Sequence, residues 1–213
     1  MHILQNEKIS AYSHGALIPV MSAGAIFLAA LAGSNVELKI FLLIYGFSAI
    51  ILFTASFLYH AMKKSETERT FWRKIDRSAI FILIAGTSTP MHFLYLDGVR
   101  MWTVLAVQWL AVLSGIAVIF FINVPRKIST IIYLSIGVIC IMPIITNISK
   151  IPPVVFTLFL AGGLSYIGGA IIYAVKKPNL HIGFHEIFHM FVNAGAIFHM
   201  FMIIVGATLY LQQ

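Results

Sequence analysis

Seven long stretches of the chain carry no Asp, Glu, Lys or Arg: residues 9–36, 40–62, 78–96, 101–125, 128–149, 151–175 and 187–213. Each reaches or exceeds the roughly 18–20 residues that a helix needs to cross the hydrocarbon layer. Open sheet edges cannot survive in lipid, and the runs lack the alternation of barrel strands, so helices are the consistent reading. The chain is therefore expected to be all-α, an integral membrane bundle of seven transmembrane helices. The spans are placed at about 12–33, 40–62, 77–96, 101–123, 128–147, 151–175 and 184–210, in a single domain covering 1–213. Only 10% of the residues are charged, against roughly 25% in a soluble domain.

The polar start, MHILQNEKISAYSHG, and the length of the first apolar run argue against a cleavable signal peptide. A lone cysteine, Cys140, leaves no disulfide framework and no cysteine metal cluster. The formal charge of +7 would suit nucleic acid, but the basic residues sit in the loops between spans, so no nucleic-acid partner is expected. Topology accounts for them instead. With seven spans, the N-terminal segment and the second, fourth and sixth loops share one side. That side holds Lys8, then Lys63, Lys64, Arg69, Arg73, Lys74 and Arg77, then Arg126 and Lys127, then Lys176 and Lys177. The other side holds only Lys39, Arg100 and Lys150. Positive charge stays on the cytoplasmic side, so the N-terminus is expected in the cytoplasm and the C-terminus outside the cell membrane. Pro90 and Pro143 fall inside spans three and five, where kinks are expected. The small-residue runs at Ala161-Gly162-Gly163 and Gly168-Gly169-Ala170 suit close packing of span six.

Ionisable residues inside a membrane are costly and mark candidate functional positions. His60 closes span two in TASFLYH, with Ser56 one turn deeper on the same face. Asp76 opens span three, and His185 and His189 open span seven. All four metal-binding side chains lie at the cytoplasmic end, and His14 opens span one at that end too. Three imidazoles and a carboxylate at one depth can form a zinc site with a fourth position left for water. Asp76 would be either a direct ligand or the base that hydrogen-bonds that water. The bland alternative is a set of interfacial histidines at helix ends. His199 is ten residues beyond His189, roughly 15 Å deeper along a helix, and cannot share its metal. It is expected to hydrogen-bond another helix or to line a cavity. His92 and His181 read as structural or surface residues.

The stretch His185-Glu186-Ile187-Phe188-His189 matches the H-E-x-x-H helix of zinc peptidases. Intramembrane peptidases of that kind add a later aspartate, often as Leu-Asp-Gly. Leu96-Asp97-Gly98 is present, but it precedes the helix and falls in the third loop. A hydrocarbon layer of roughly 30 Å would separate it from His185. The peptidase reading fails on geometry.

Three motifs in order resemble the hemolysin III branch of the progestin and adipoQ receptor family, which includes the adiponectin receptors. They are SFLYH at Ser56–His60, Asp76-Arg77-Ser78-Ala79-Ile80 followed by Ala85-Gly86-Thr87-Ser88-Thr89-Pro90, and HEIFHMFVNAGAIFH in the last span. The first-span pattern of the bacterial branch, E-x-x-N-x-x-T-H, is only partly kept. Glu7 and His14 hold their spacing, while Ser10 and Ser13 replace asparagine and threonine. The resemblance implies a bundle with an inward N-terminus and zinc held by His60, His185 and His189. It also implies that Ser56 and Asp76 accompany the site, with Asp76 holding water there. Relatives can carry glutamine at the position of Glu186, and on the helix Glu186 points about 100° away from His185. Asp76 is therefore the expected base. By resemblance, the chain is expected in the bacterial plasma (inner) membrane, with zinc near the cytoplasmic face. The expected activity is zinc-dependent hydrolysis of a membrane lipid amide or ester, ceramidase-like, with a role in lipid homeostasis. A non-enzymatic sensor with structural zinc is the alternative, and a pore-forming cytolysin ranks last.

Overall fold

The computed structural model describes residues 3–4, 7–63, 71–122, 124–178 and 183–213. His181 and the loop residues Lys64 and Arg69 lie outside the described residues. Seven helices follow in order: α1 (Lys8–Leu31), α2 (Val36–Met62), α3 (Phe71–Tyr95), α4 (Gly98–Phe121), α5 (Arg126–Ile145), α6 (Pro153–Val175) and α7 (Phe184–Tyr210). There is no strand among the described residues, and each of the seven helices is long and apolar enough to cross a membrane. The chain is a multi-pass, all-helical membrane protein.

Several helices outrun their apolar stretches. A helix satisfies its backbone hydrogen bonds internally in water as well as in lipid, so the apolar run marks the crossing and not the helix end. Thus α3 begins at Phe71, and Asp76 stands inside its second turn. Between α1 and α2 the chain turns through Gly33 at φ +54, a conformation that favours glycine. Asn35 then caps α2, its side chain accepting the Leu38 N–H at 3.0 Å.

Helices α2, α3 and α7 are half or more buried, whereas α1, α4, α5 and α6 are mostly outward-facing. The outward faces are as apolar as the core, with Ile26, Leu110, Leu164 and Phe121 all exposed. Such a surface is stable only against lipid. Because lipid tails are as apolar as leucine, helix association there relies on close fit and hydrogen bonds. Small residues supply the fit. A Cβ on Gly46 would lie 2.6 Å from the Ala25 Cβ, and one on Gly86 would lie 2.1 Å from Ser48 Oγ. A Cβ on Gly162 would meet the His199 ring at 2.2 Å, and Gly168 and Gly169 sit equally tight against Phe191. Gly162, Gly168 and Gly169 of α6 thus face α7, its most extensively packed neighbour. Gly86→Ala should overpack the α2–α3 contact and cost about 1–3 kcal/mol. Thermal unfolding in detergent reads this directly, and an unchanged midpoint would count against the close approach.

Hydrogen bonds supply the rest. Ser88 Oγ donates to Gln108 Oε1 at 2.8 Å, and Gln108 Nε2 donates to Thr89 Oγ1 at 2.8 Å. Trp109 Nε1 donates to the same Thr89 oxygen at 3.2 Å, so α4 is stitched to α3 beside Pro90. On the other side, α5 and α6 pack only loosely on each other. A cavity of about 360 Å³ lies between α3, α5, α6 and α7, walled by apolar side chains such as Ile84, Met91, Ile141 and Val192.

Candidate metal centre

His60 ends α2, while His185 and His189 lie one turn apart near the start of α7. An i, i+4 spacing places both α7 rings on one helix face. The bundle turns that face toward the end of α2. His185 Nε2 lies 3.4 Å from His60 Nε2 and 3.2 Å from His189 Nε2. One ligand atom from each of the three lies within 4.8 Å of the other two. His60 and His189 are 1% and 2% exposed, and His185 is half-buried.

These spacings can be tested against a bound ion. Zinc–imidazole bonds of about 2.0–2.1 Å give a tetrahedron whose edge is roughly 3.3 Å. The two short Nε2 separations match that edge. Donor chemistry agrees as well. Glu7 Oε2 lies 2.5 Å from His60 Nδ1, and a carboxylate can only accept, so His60 carries its proton on Nδ1. Its Nε2 is then a bare lone pair 3.4 Å from His185 Nε2. A cation among the three would satisfy such lone pairs, so this cluster could hold a metal ion.

Helix α1, which gives no side chain to the triad, covers it. Glu7 is 5% exposed and bridges His60 to Lys63 through its second oxygen. Burial alone would raise the Glu7 carboxyl, but the hydrogen bonds and charges of His60 and Lys63 outweigh it and hold the group at about 2. Glu7 is therefore ionised at neutral pH. His14 Nε2 lies 2.8 Å from His189 Nδ1, and His14 is 3% exposed.

Asp76 is half-buried near the start of α3 and lines the same space as the Ser56 side chain, which is itself 2% exposed. Asp76, Ser56, His14, His185 and His189 all line the head of the apolar cavity. A carboxylate and three imidazoles thus open onto one space that is walled chiefly by hydrocarbon.

The remaining polar residues separate cleanly from this cluster. Glu186 lies against the Gly183 backbone at the head of α7 and is not among the cavity-lining residues. His199 lines the deeper cavity and donates from Nε2 to the Phe159 carbonyl of α6 at 3.3 Å, combining the two roles expected of it. His92 is fully buried and donates from Nε2 to the Cys140 carbonyl at 2.9 Å. It is structural and not a surface residue, because α3 packs against α5 at this position. Asp97 stands at the far end of α3, exposed and paired with Lys150 at 2.7 Å. It takes no part in the histidine cluster. The sequence offered no role for Glu7 and an uncertain one for His14. Their spacing was the usable signal, since seven residues are two helical turns and return to the same face.

A family model described as "Haemolysin-III related" matches residues 2–200. The chain is 31% identical over 207 residues to a "Hemolysin-3" of Bacillus cereus, covering 94% of this chain and 91% of that protein. It is 33% identical over 200 residues to a "Hemolysin-3 homolog" of Bacillus subtilis (strain 168), covering 92% of each.

Proposed function

The chain belongs to the haemolysin-III-related family, and from that premise we propose that it is a zinc-dependent hydrolase acting on the amide or ester bond of a membrane lipid. One observation carries the reading: His60, His185 and His189 bring one nitrogen each within 4.8 Å of the others, and two of the three, His185 and His189, share the head of an apolar cavity with the Asp76 carboxylate. Neutral imidazoles suit zinc among the common cellular metals. Zinc held by His60, His185 and His189 would supply a Lewis acid that polarises a carbonyl and makes water acidic near neutral pH.

The chain's own residues do the remaining work. The cavity takes the acyl chain and brings the carbonyl to its polar head. Asp76 accepts the proton of the attacking water and returns it to the leaving nitrogen or oxygen as the acyl bond breaks. Ser56, which lines the same space, donates to Asp76 in this scheme and orients its carboxylate. The apolar walls exclude bulk water, which strengthens each electrostatic contact at the head.

A second reading rests on a different observation. The triad joins α2 to α7, two helices with little other backbone contact, so the metal could serve as a cross-link alone. A membrane sensor would then need no turnover. A cytolytic pore gains no support from a cavity walled chiefly by hydrocarbon.

Metal analysis of the purified chain tests the shared premise, with about one zinc per chain expected. Vesicles doped with N-acyl and O-acyl lipids then test hydrolysis. A chain free of zinc would overturn both readings, and zinc without turnover would leave the cross-link. The proposed setting is the bacterial plasma membrane, with the N-terminus and the zinc site on the cytoplasmic side. That follows from Lys8, Lys63, Arg73, Lys74 and Lys127 on one side against Lys39, Arg100 and Lys150 on the other. A periplasm-dependent reporter fused to the C-terminus should be active, and an inactive one beside an active N-terminal fusion would reverse the orientation.

A further inference from the structure

Helix α1 supplies no ligand to the histidine triad, yet its N-cap residue Glu7 and its own His14 are buried against it. Glu7 and His14 are separated by seven residues, two turns, and so share one face. Each meets the Nδ1 atom of a different triad histidine: Glu7 Oε2 at 2.5 Å from His60, and His14 Nε2 at 2.8 Å from His189. The second Glu7 oxygen is held by Lys63, one turn beyond His60. Burial of an ion pair and an imidazole at a helix junction is expensive unless each group is paired.

The geometry points to Glu7 and His14 as positioning residues that fix the tautomers of two metal ligands. A carboxylate on Nδ1 forces the His60 proton there and leaves Nε2 free to bind. The His14–His189 contact can run either way in an isolated pair. Only the arrangement in which His189 Nδ1–H donates to His14 Nε2 leaves His189 Nε2 able to bind a metal. His14 then carries its own proton on Nδ1, an atom with no hydrogen-bond partner among the described residues. Ser10, one turn earlier, also has its hydroxyl buried without a hydrogen-bond partner among the described residues. On this account α1 is the outer support of the site, which gives a role to the Glu7/His14 spacing.

The inference rests on the zinc reading, and its test separates the two. Zinc dissociation constants of the full-length protein in detergent can be measured by competition with a chromophoric chelator. Glu7→Ala should weaken zinc roughly 10–100-fold, the usual range for an outer-shell partner. Glu7→Gln should recover most of that loss, because its amide oxygen still accepts from His60 Nδ1–H. Ile3→Ala provides the packing control: Ile3 is buried with Ala11 and Ala61 at the same α1–α2 junction but belongs to its apolar cluster. It should leave zinc affinity unchanged. If wild type binds zinc and Glu7→Ala binds it equally well, the positioning role is wrong. If Ile3→Ala weakens zinc as much as Glu7→Ala does, Glu7 acts only through packing and the inference falls. A wild type that binds no zinc removes the underlying reading as well.

Discussion

His60→Ala is expected to purify with at most a trace of zinc and to lose zinc affinity by more than the roughly 10–100-fold typical of an outer-shell loss. His60 is the only triad member outside α7, so removing it leaves two imidazoles on one helix face and opens the metal to α2. The substitution also strands Glu7, whose carboxylate is buried between His60 and Lys63. Some loss of stability should therefore accompany the loss of metal. His199→Ala is the matching control. It removes a buried imidazole of the same helix together with its hydrogen bond to the Phe159 carbonyl, at about 0.5–1.5 kcal/mol for the bond. It should nevertheless keep its zinc, since His199 is roughly 15 Å from His189 along α7. Elemental analysis of both variants decides the matter. Full zinc in His60→Ala, or loss of zinc in His199→Ala with the fold intact, would sink the triad.

Asp76→Asn should do the opposite: keep the metal and lose the reaction. Asparagine has nearly the same shape and can still accept the Ser56 hydrogen bond, but its amide cannot take a proton at neutral pH. General-base catalysis contributes about 10²–10⁴-fold, and turnover should fall by that factor with zinc content unchanged. Ser56→Ala, which removes only the orienting donor, should produce a smaller loss. An Asp76→Asn protein that hydrolyses lipid at the wild-type rate would assign the base elsewhere. Loss of zinc in this variant would make Asp76 a ligand, the other role its position allows.

Different parts of this picture were legible in the sequence to different degrees. His199 was separated from the triad because ten helical residues fix a distance whatever the packing. His92 was harder. Its place near the end of α3 left a structural and a surface role both open, and only the packing of α3 on α5 buries it against the Cys140 carbonyl. The glycines of α6 were recognisable as packing residues, but not that Gly162 would seat the His199 ring. Glu186 had been set aside because of its angle on α7, and its carboxylate does lie back against Gly183, off the cavity.

What the sequence determined by itself was the number of crossings and the depth of each polar residue. Hydrocarbon forces every long uncharged run into a helix, and the 1.5 Å rise converts residue number into depth. That was enough to bring His14, His60, Asp76, His185 and His189 to one level. Depth is a single coordinate, however, and a metal site needs three. How each helix is rotated about its own axis, and which helices stand side by side, depends on contacts among residues far apart in the chain. Only that packing decided that three Nε2 atoms converge, that Asp76 opens onto the same cavity, and that Glu7 and His14 close over the cluster from α1.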